Sequence, residues 1–102
     1  MEDKNKKGRL KETEDLYVQV VVARRKILGE DHPETWESVK ELALIYRYQG
    51  RFKEAENLYV HVVAARKKVL GEEHPEIWEP ANELASIYHT QGRWEEAEDL
   101  FV

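Results

Sequence analysis

Ile27-Leu28-Gly29-Glu30-Asp31-His32-Pro33-Glu34-Thr35-Trp36 decides the fold, because it returns as Val69-Leu70-Gly71-Glu72-Glu73-His74-Pro75-Glu76-Ile77-Trp78. The histidines lie 74 − 32 = 42 residues apart and the tryptophans 78 − 36 = 42. Working outward, the copies stay in step without a gap. Residues 9–60 laid over 51–102 agree at about two thirds of positions. Self-similarity at a period of roughly 20 to 50 residues marks a solenoid, in which each unit buries its apolar face only against its neighbour.

The stretches between the repeated segments are helical in pattern. From position 52 to 70, apolar residues fall at Phe52, Ala55, Leu58, Tyr59, Val62, Val63 and Val69, the i, i+3, i+4, i+7 spacing of one helix face. From 75 to 91 they fall at Ile77, Ala81, Leu84, Ala85 and Tyr88, and neither stretch alternates with period two. The ends are legible as well. Gly29 and Gly71 suit left-handed helix stops. Pro33 and Pro75 suit a first helical position, where the missing N–H costs nothing. Arg24-Arg25-Lys26 and Arg66-Lys67-Lys68 bring cations to helix C-termini, and Gly50-Arg51 and Gly92-Arg93 make tight turns.

Two helix types then alternate: B (about 9–28), A (about 33–49), B (about 52–70), A (about 75–91) and a short B (about 93–102). The expected organisation is an irregular segment at 1–8 and a repeat domain at 9–102. The latter divides into a partial repeat 9–32, a full repeat 33–74 and a partial repeat 75–102. Pro80 breaks the symmetry, since Ser38 stands in its place in the first copy.

Leu42-Ala43-x-x-Tyr46-x-x-x-Gly50-x-Phe52-x-x-Ala55-x-x-x-Tyr59 resembles the tetratricopeptide repeat, and recurs as Leu84-Ala85-x-x-Tyr88-x-x-x-Gly92-x-Trp94-x-x-Ala97-x-x-x-Phe101. The 42-residue period with its Leu-Gly-Glu-x-His-Pro connection resembles kinesin light chains. It is closer still to arrays at the C-termini of fungal and bacterial nucleotide-binding signalling proteins (NB-ARC/NACHT-associated). The resemblance implies an all-α, right-handed superhelical solenoid of antiparallel hairpins whose A helices line a groove for peptides or protein surfaces. It implies no catalytic residue and no cofactor. Kinesin-type repeats often carry paired asparagines ahead of the Leu-Ala; here those positions hold Lys40-Glu41 and Asn82-Glu83, so only Asn82 matches.

Stepping 100° per residue from Leu42 as the core-facing reference places Glu37, Lys40, Leu44, Arg47 and Tyr48 opposite the core, with Glu41 beside them. Their counterparts are Glu79, Asn82, Ser86, His89 and Thr90, with Glu83. Apart from Glu37/Glu79, every one of the five pairs on that face differs, whereas core positions recur. These twelve residues form the expected protein-binding groove. Trp36 and Trp78 fall at its edge, as an aromatic wall for a ligand or as packing spacers between hairpins, packing being favoured.

A second role follows from the ends. No A helix is expected ahead of the first B helix, and the last B helix is short, so Leu16, Tyr17, Val20, Leu100 and Phe101 are expected to face solvent and drive self-association.

Other functions are disfavoured. With 21 acids against 16 bases the net charge is −5, the wrong sign for a nucleic-acid ligand. No apolar run approaches a membrane span, and zero cysteines remove disulfides and thiol chemistry, leaving a cytoplasmic home as the default. His32 and His74 sit one per repeat, better placed to cap helices than to converge on a metal. No nucleophile triad or phosphate-cradling loop is present, so an enzyme is not expected.

Overall fold

A computed structural model describes the backbone from residue 2 to residue 100 and the side chains from residue 9 to residue 100. Five helices follow one another: α1 (Glu2–Ile27), α2 (Pro33–Tyr48), α3 (Phe52–Leu70), α4 (Trp78–Thr90) and α5 (Trp94–Asp99). A single 3-10 turn, Pro75–Ile77, precedes α4, and the described residues contain no strand. The principal contacts join each helix to the next, the expected order for stacked hairpins. α1, α3 and α5 are the B helices; α2 and α4 are the A helices.

The core repeats with the sequence. Val21 of α1, Trp36, Val39 and Leu42 of α2, and Val62 of α3 form one buried cluster. Ala43, Ala55 and Tyr59 join Leu84, Ile87, Tyr88 and Ala97 in the next. Ala43 and Ala55 are fully buried, the small residues letting α2 and α3 approach while Tyr59 fills the layer between them. Helix stops fall where the glycines predict: Gly29 and Gly71 have φ of 89° and 93°, a region closed to residues with a Cβ except at a cost. His32 and His74 are the caps, each Nδ1 accepting the backbone N–H two residues on, from Glu34 and Glu76, at 3.1 Å.

Two expectations need correction. Residues 2–8 are not irregular; the helix starts at Glu2, seven residues before the expected boundary at 9. No turn signal stands at Gly8, because a lone glycine inside a helical stretch costs only about 1 kcal/mol and does not by itself stop it. The second A helix also does not run unbroken from Pro75. Pro80 has no N–H to give the carbonyl four residues back, at Glu76, and the turn there tightens to 3-10 geometry. The buried Arg66 takes up that carbonyl at 2.5 Å. In the first copy Arg24 and the Ser38 hydroxyl share the Glu34 carbonyl instead, at 2.9 and 3.1 Å, and α2 is regular from Pro33.

Candidate functional site

α2 and α4 lie side by side, and their common face carries the residues expected to form a groove. The cations on that face are not free. Lys40 reaches across to Glu79 at 2.7 Å and back to Glu37 at 3.2 Å. Two turns further on, Arg47 pairs with Glu83 and donates to the Ser86 hydroxyl at 2.7 Å. Two ion-pair rungs therefore tie one A helix to the next. Burial works to lower the Lys40 pKa, but its bonds to Glu79 and Glu37 prevail and raise it. The bond from Lys40 holds the Glu79 carboxyl below its ordinary value.

The rungs use Glu37, Lys40, Arg47, Glu79, Glu83 and Ser86, half of the expected groove. The remainder is open in varying degree. Tyr48 is 79% exposed, Asn82 is exposed, and Glu41 and Leu44 are half-buried. His89 stacks edge-on against Trp94 at 4.6 Å, and Thr90 donates to the Ser86 carbonyl. Lys40 and Arg47 each have an acidic residue ahead of them on the next A helix.

The two tryptophans do not make a wall. Trp36 is buried, 4% exposed, packed in the α1–α2–α3 cluster with the Arg66 guanidinium 5.7 Å from its ring. Trp78 is 58% exposed. Packing claims the first because Val62 and Ala65 of α3 lie over it. Trp78 instead lines a cleft of about 530 Å³ with Lys67, Ile77, Ala81 and Leu100.

Of the residues expected at a self-association surface, Leu16 is 62% exposed and Tyr17 and Val20 are half-buried. The three line a cleft of about 590 Å³ between α1 and α2, with Arg24, Glu37, Ser38 and Glu41 completing it. Leu100 packs partly against the Ala43–Leu84 cluster rather than standing free, and Phe101 lies outside the described residues.

Sequence reasoning missed one recurring lock. Arg51 donates to Glu14 at 2.8 Å and to Gln49 and Glu54, and lies over the Tyr46 ring at 4.3 Å. Arg93 repeats this with Glu56 at 2.6 Å, Gln91, Glu96 and Tyr88, again at 4.3 Å from the ring. The signal was present, since the arginine and all four partners recur at the same offset, but nothing in linear spacing says that 14 meets 51. Burial pushes the Glu14 carboxyl up, yet the bonds from Gln49 and Arg51 and the guanidinium charge outweigh it and hold it low. The basic runs serve the connections rather than a phosphate: Arg25 meets Glu30 at 2.9 Å and Lys68 meets Asp31 at 2.9 Å.

The tetratricopeptide repeat model matches residues 2–68 and again 37–102, between them nearly the whole chain. The chain belongs to the tetratricopeptide repeat family. Its fold is similar to that of a Podosopora anserina putative kinesin light chain with nearly identical TPR-like repeats, in two crystal structures, one of a variant. Each match has 37% identity and a TM-score of 0.80, covering 92% of this chain and 44% of that one. BtubC (BKLC) from P. vanneervenii shares the fold at 18% identity and TM-score 0.82, over 91% of this chain and 37% of that one. This tetratricopeptide chain therefore spans less than half the length of the structures it matches. No curated protein matches it. None of the described helices is long and apolar enough to cross a membrane.

Proposed function

We propose that the chain is a protein-binding module that takes a basic, apolar-bearing segment of a partner along the α2–α4 face. Tetratricopeptide repeats generally mediate protein–protein contact, and that coarse role comes with the family. The finer reading rests on one observation. Both cations of the face, Lys40 and Arg47, are already engaged by Glu79, Glu37 and Glu83, while Tyr48 stands 79% exposed beside them. With four carboxylates (Glu37, Glu41, Glu79, Glu83) against three paired cations, Lys40, Arg47 and the Arg66 that also meets Glu37, the face still carries an excess of negative charge. Tyr48 and Leu44 offer an apolar contact of the kind that anchors a peptide.

A parent array of the kind carried by fungal and bacterial nucleotide-binding signalling proteins is part of the same proposal, on the residues quoted for that resemblance. Affinity selection of displayed random peptides, followed by fluorescence anisotropy, tests the reading. Enriched peptides should carry Lys or Arg with an aromatic or aliphatic residue, and Tyr48→Ala or Glu41→Lys should weaken them about tenfold, a loss near 1.4 kcal/mol. Trp78→Ala should leave them unchanged. Acidic selected peptides, or indifference to Tyr48, would overturn it.

A further inference from the structure

Each A helix starts on a histidine–proline pair, and both starts share a hydrogen-bond pattern that only a neutral imidazole completes. Pro33 and Pro75 have no N–H to place. In the first copy the Thr35 and Trp36 N–H groups both reach the His32 carbonyl, at 3.0 and 3.1 Å. In the second, Ile77 reaches the His74 carbonyl at 3.0 Å and Trp78 reaches that of Pro75. One N–H is left in each first turn, at Glu34 and Glu76, and the imidazole Nδ1 two residues back accepts it at 3.1 Å. Nδ1 needs a free lone pair for this, so the proton of the neutral ring sits on Nε2. The carbonyl of the same glutamate is held by an arginine of the preceding B helix: Arg24 on Glu34 at 2.9 Å and Arg66 on Glu76 at 2.5 Å.

We infer that His32 and His74 form a pH-sensitive latch on the two A helices, closed when the imidazoles are neutral and released when they take up a proton. A protonated imidazole is a donor at both nitrogens, so it sets N–H against N–H at Glu34 and Glu76. It also puts a cation at the positive end of the helix, where an arginine already lies. The charged groups around His32 are Glu30, Asp31 and Glu34 of its own segment, Arg24 and Arg25 of α1, and Lys68 of α3. Around His74 they are Glu72, Glu73 and Glu76, with Arg66 and Lys67 of α3, and Glu37 and Glu79 across the cleft that Pro75 lines. Both signs are present at each site, and the lone pair on Nδ1 is used at both, so the hydrogen bond decides. The fold binds the neutral ring, and the unfolded chain takes up the proton first. The latch is therefore complete at pH 8 and lost as pH falls through the histidine range, about 7 to 5. The turns it releases anchor the stack. One carries Trp36 into the α1–α2–α3 cluster, and the other carries Ile77, buried with Val63 and Ala81. The latch is independent of what binds along the α2–α4 face.

Urea unfolding between pH 8 and pH 5 tests it, with the double variant His32→Asn, His74→Asn beside the wild type, because asparagine caps through an oxygen that does not titrate. Loss of one cap lowers the folding equilibrium constant by about fivefold, so across this range the wild type should lose about 25-fold more than the double variant. A control with His61→Gln and His89→Gln should follow the wild type. In the wild type, the Glu34 and Glu76 amide resonances should shift with the same midpoints as the His32 and His74 ring resonances. A wild-type constant no more pH-dependent than that of the double variant overturns the inference. So do Glu34 and Glu76 resonances that stay still while the rings titrate. If the asparagine variant fails to fold, the wild-type resonances decide alone.

Discussion

Two tryptophans 42 residues apart in the same sentence of sequence have opposite energetics. Trp36 fills the α1–α2–α3 cluster, so Trp36→Ala should cost about 3–5 kcal/mol by lost burial and the cavity left behind. Trp78→Ala should change stability by no more than about 0.5 kcal/mol, because the ring is mostly in water already. Chemical denaturation of the two variants measures the difference. Tyr59 is the converse case. Its ring is fully buried, its hydroxyl has no hydrogen-bond partner, and burial pushes its pKa up to about 12. The equivalent position in the next copy is Phe101, which carries no hydroxyl. Tyr59→Phe should therefore be neutral or stabilising by up to about 1 kcal/mol, read as a raised midpoint of thermal unfolding. The caps behave more conventionally: His32→Ala should cost about 1 kcal/mol, and His32→Asp should recover most of it.

At the scale of elements, the Glu14–Arg51 lock couples the first B helix to the turn between α2 and α3. Glu14 is 6% exposed and supplies the acceptor for both Gln49 and Arg51, so Glu14→Gln should cost about 1–3 kcal/mol by leaving a buried donor poorly matched. The same residue gives the stack an acid sensitivity. Its carboxyl is held below its ordinary value of 4.5 in the fold, so between the two values the unfolded chain binds a proton that the folded chain does not. The contribution is complete above about 4.5 and is lost as pH falls through the folded value. Glu54, Glu79 and Glu96 are lowered too, by bonds from Arg51, Lys40 and Arg93 respectively, and share the sign. Denaturant midpoints measured from pH 7 down to pH 3 should fall steeply below about 4.5, and less steeply in Glu14→Gln.

The whole molecule is a plate 45 × 37 × 18 Å in extent, tied together by contacts between successive units. Such stacks gain stability by adding neighbours, each new interface burying a face the end unit leaves open. Tyr48→Glu, at a 79% exposed position, should weaken peptide binding along the α2–α4 face and leave the unfolding midpoint unchanged.

The period, the alternation of helix types, the glycine stops and the histidine caps were all legible in the chain, because each rests on residues within a few positions of one another. Periodicity and turn chemistry are local, and local rules suffice for them. The groove was legible only as a face. Which of its cations remain free depends on Glu79 and Glu83 arriving opposite Lys40 and Arg47, 39 and 36 residues away. The Glu14–Arg51 lock, the different fates of Trp36 and Trp78, and the turn that Pro80 imposes with Arg66 at its carbonyl were likewise decided by packing. Identical residues in successive repeats share a backbone environment, but their neighbours come from the unit before or after.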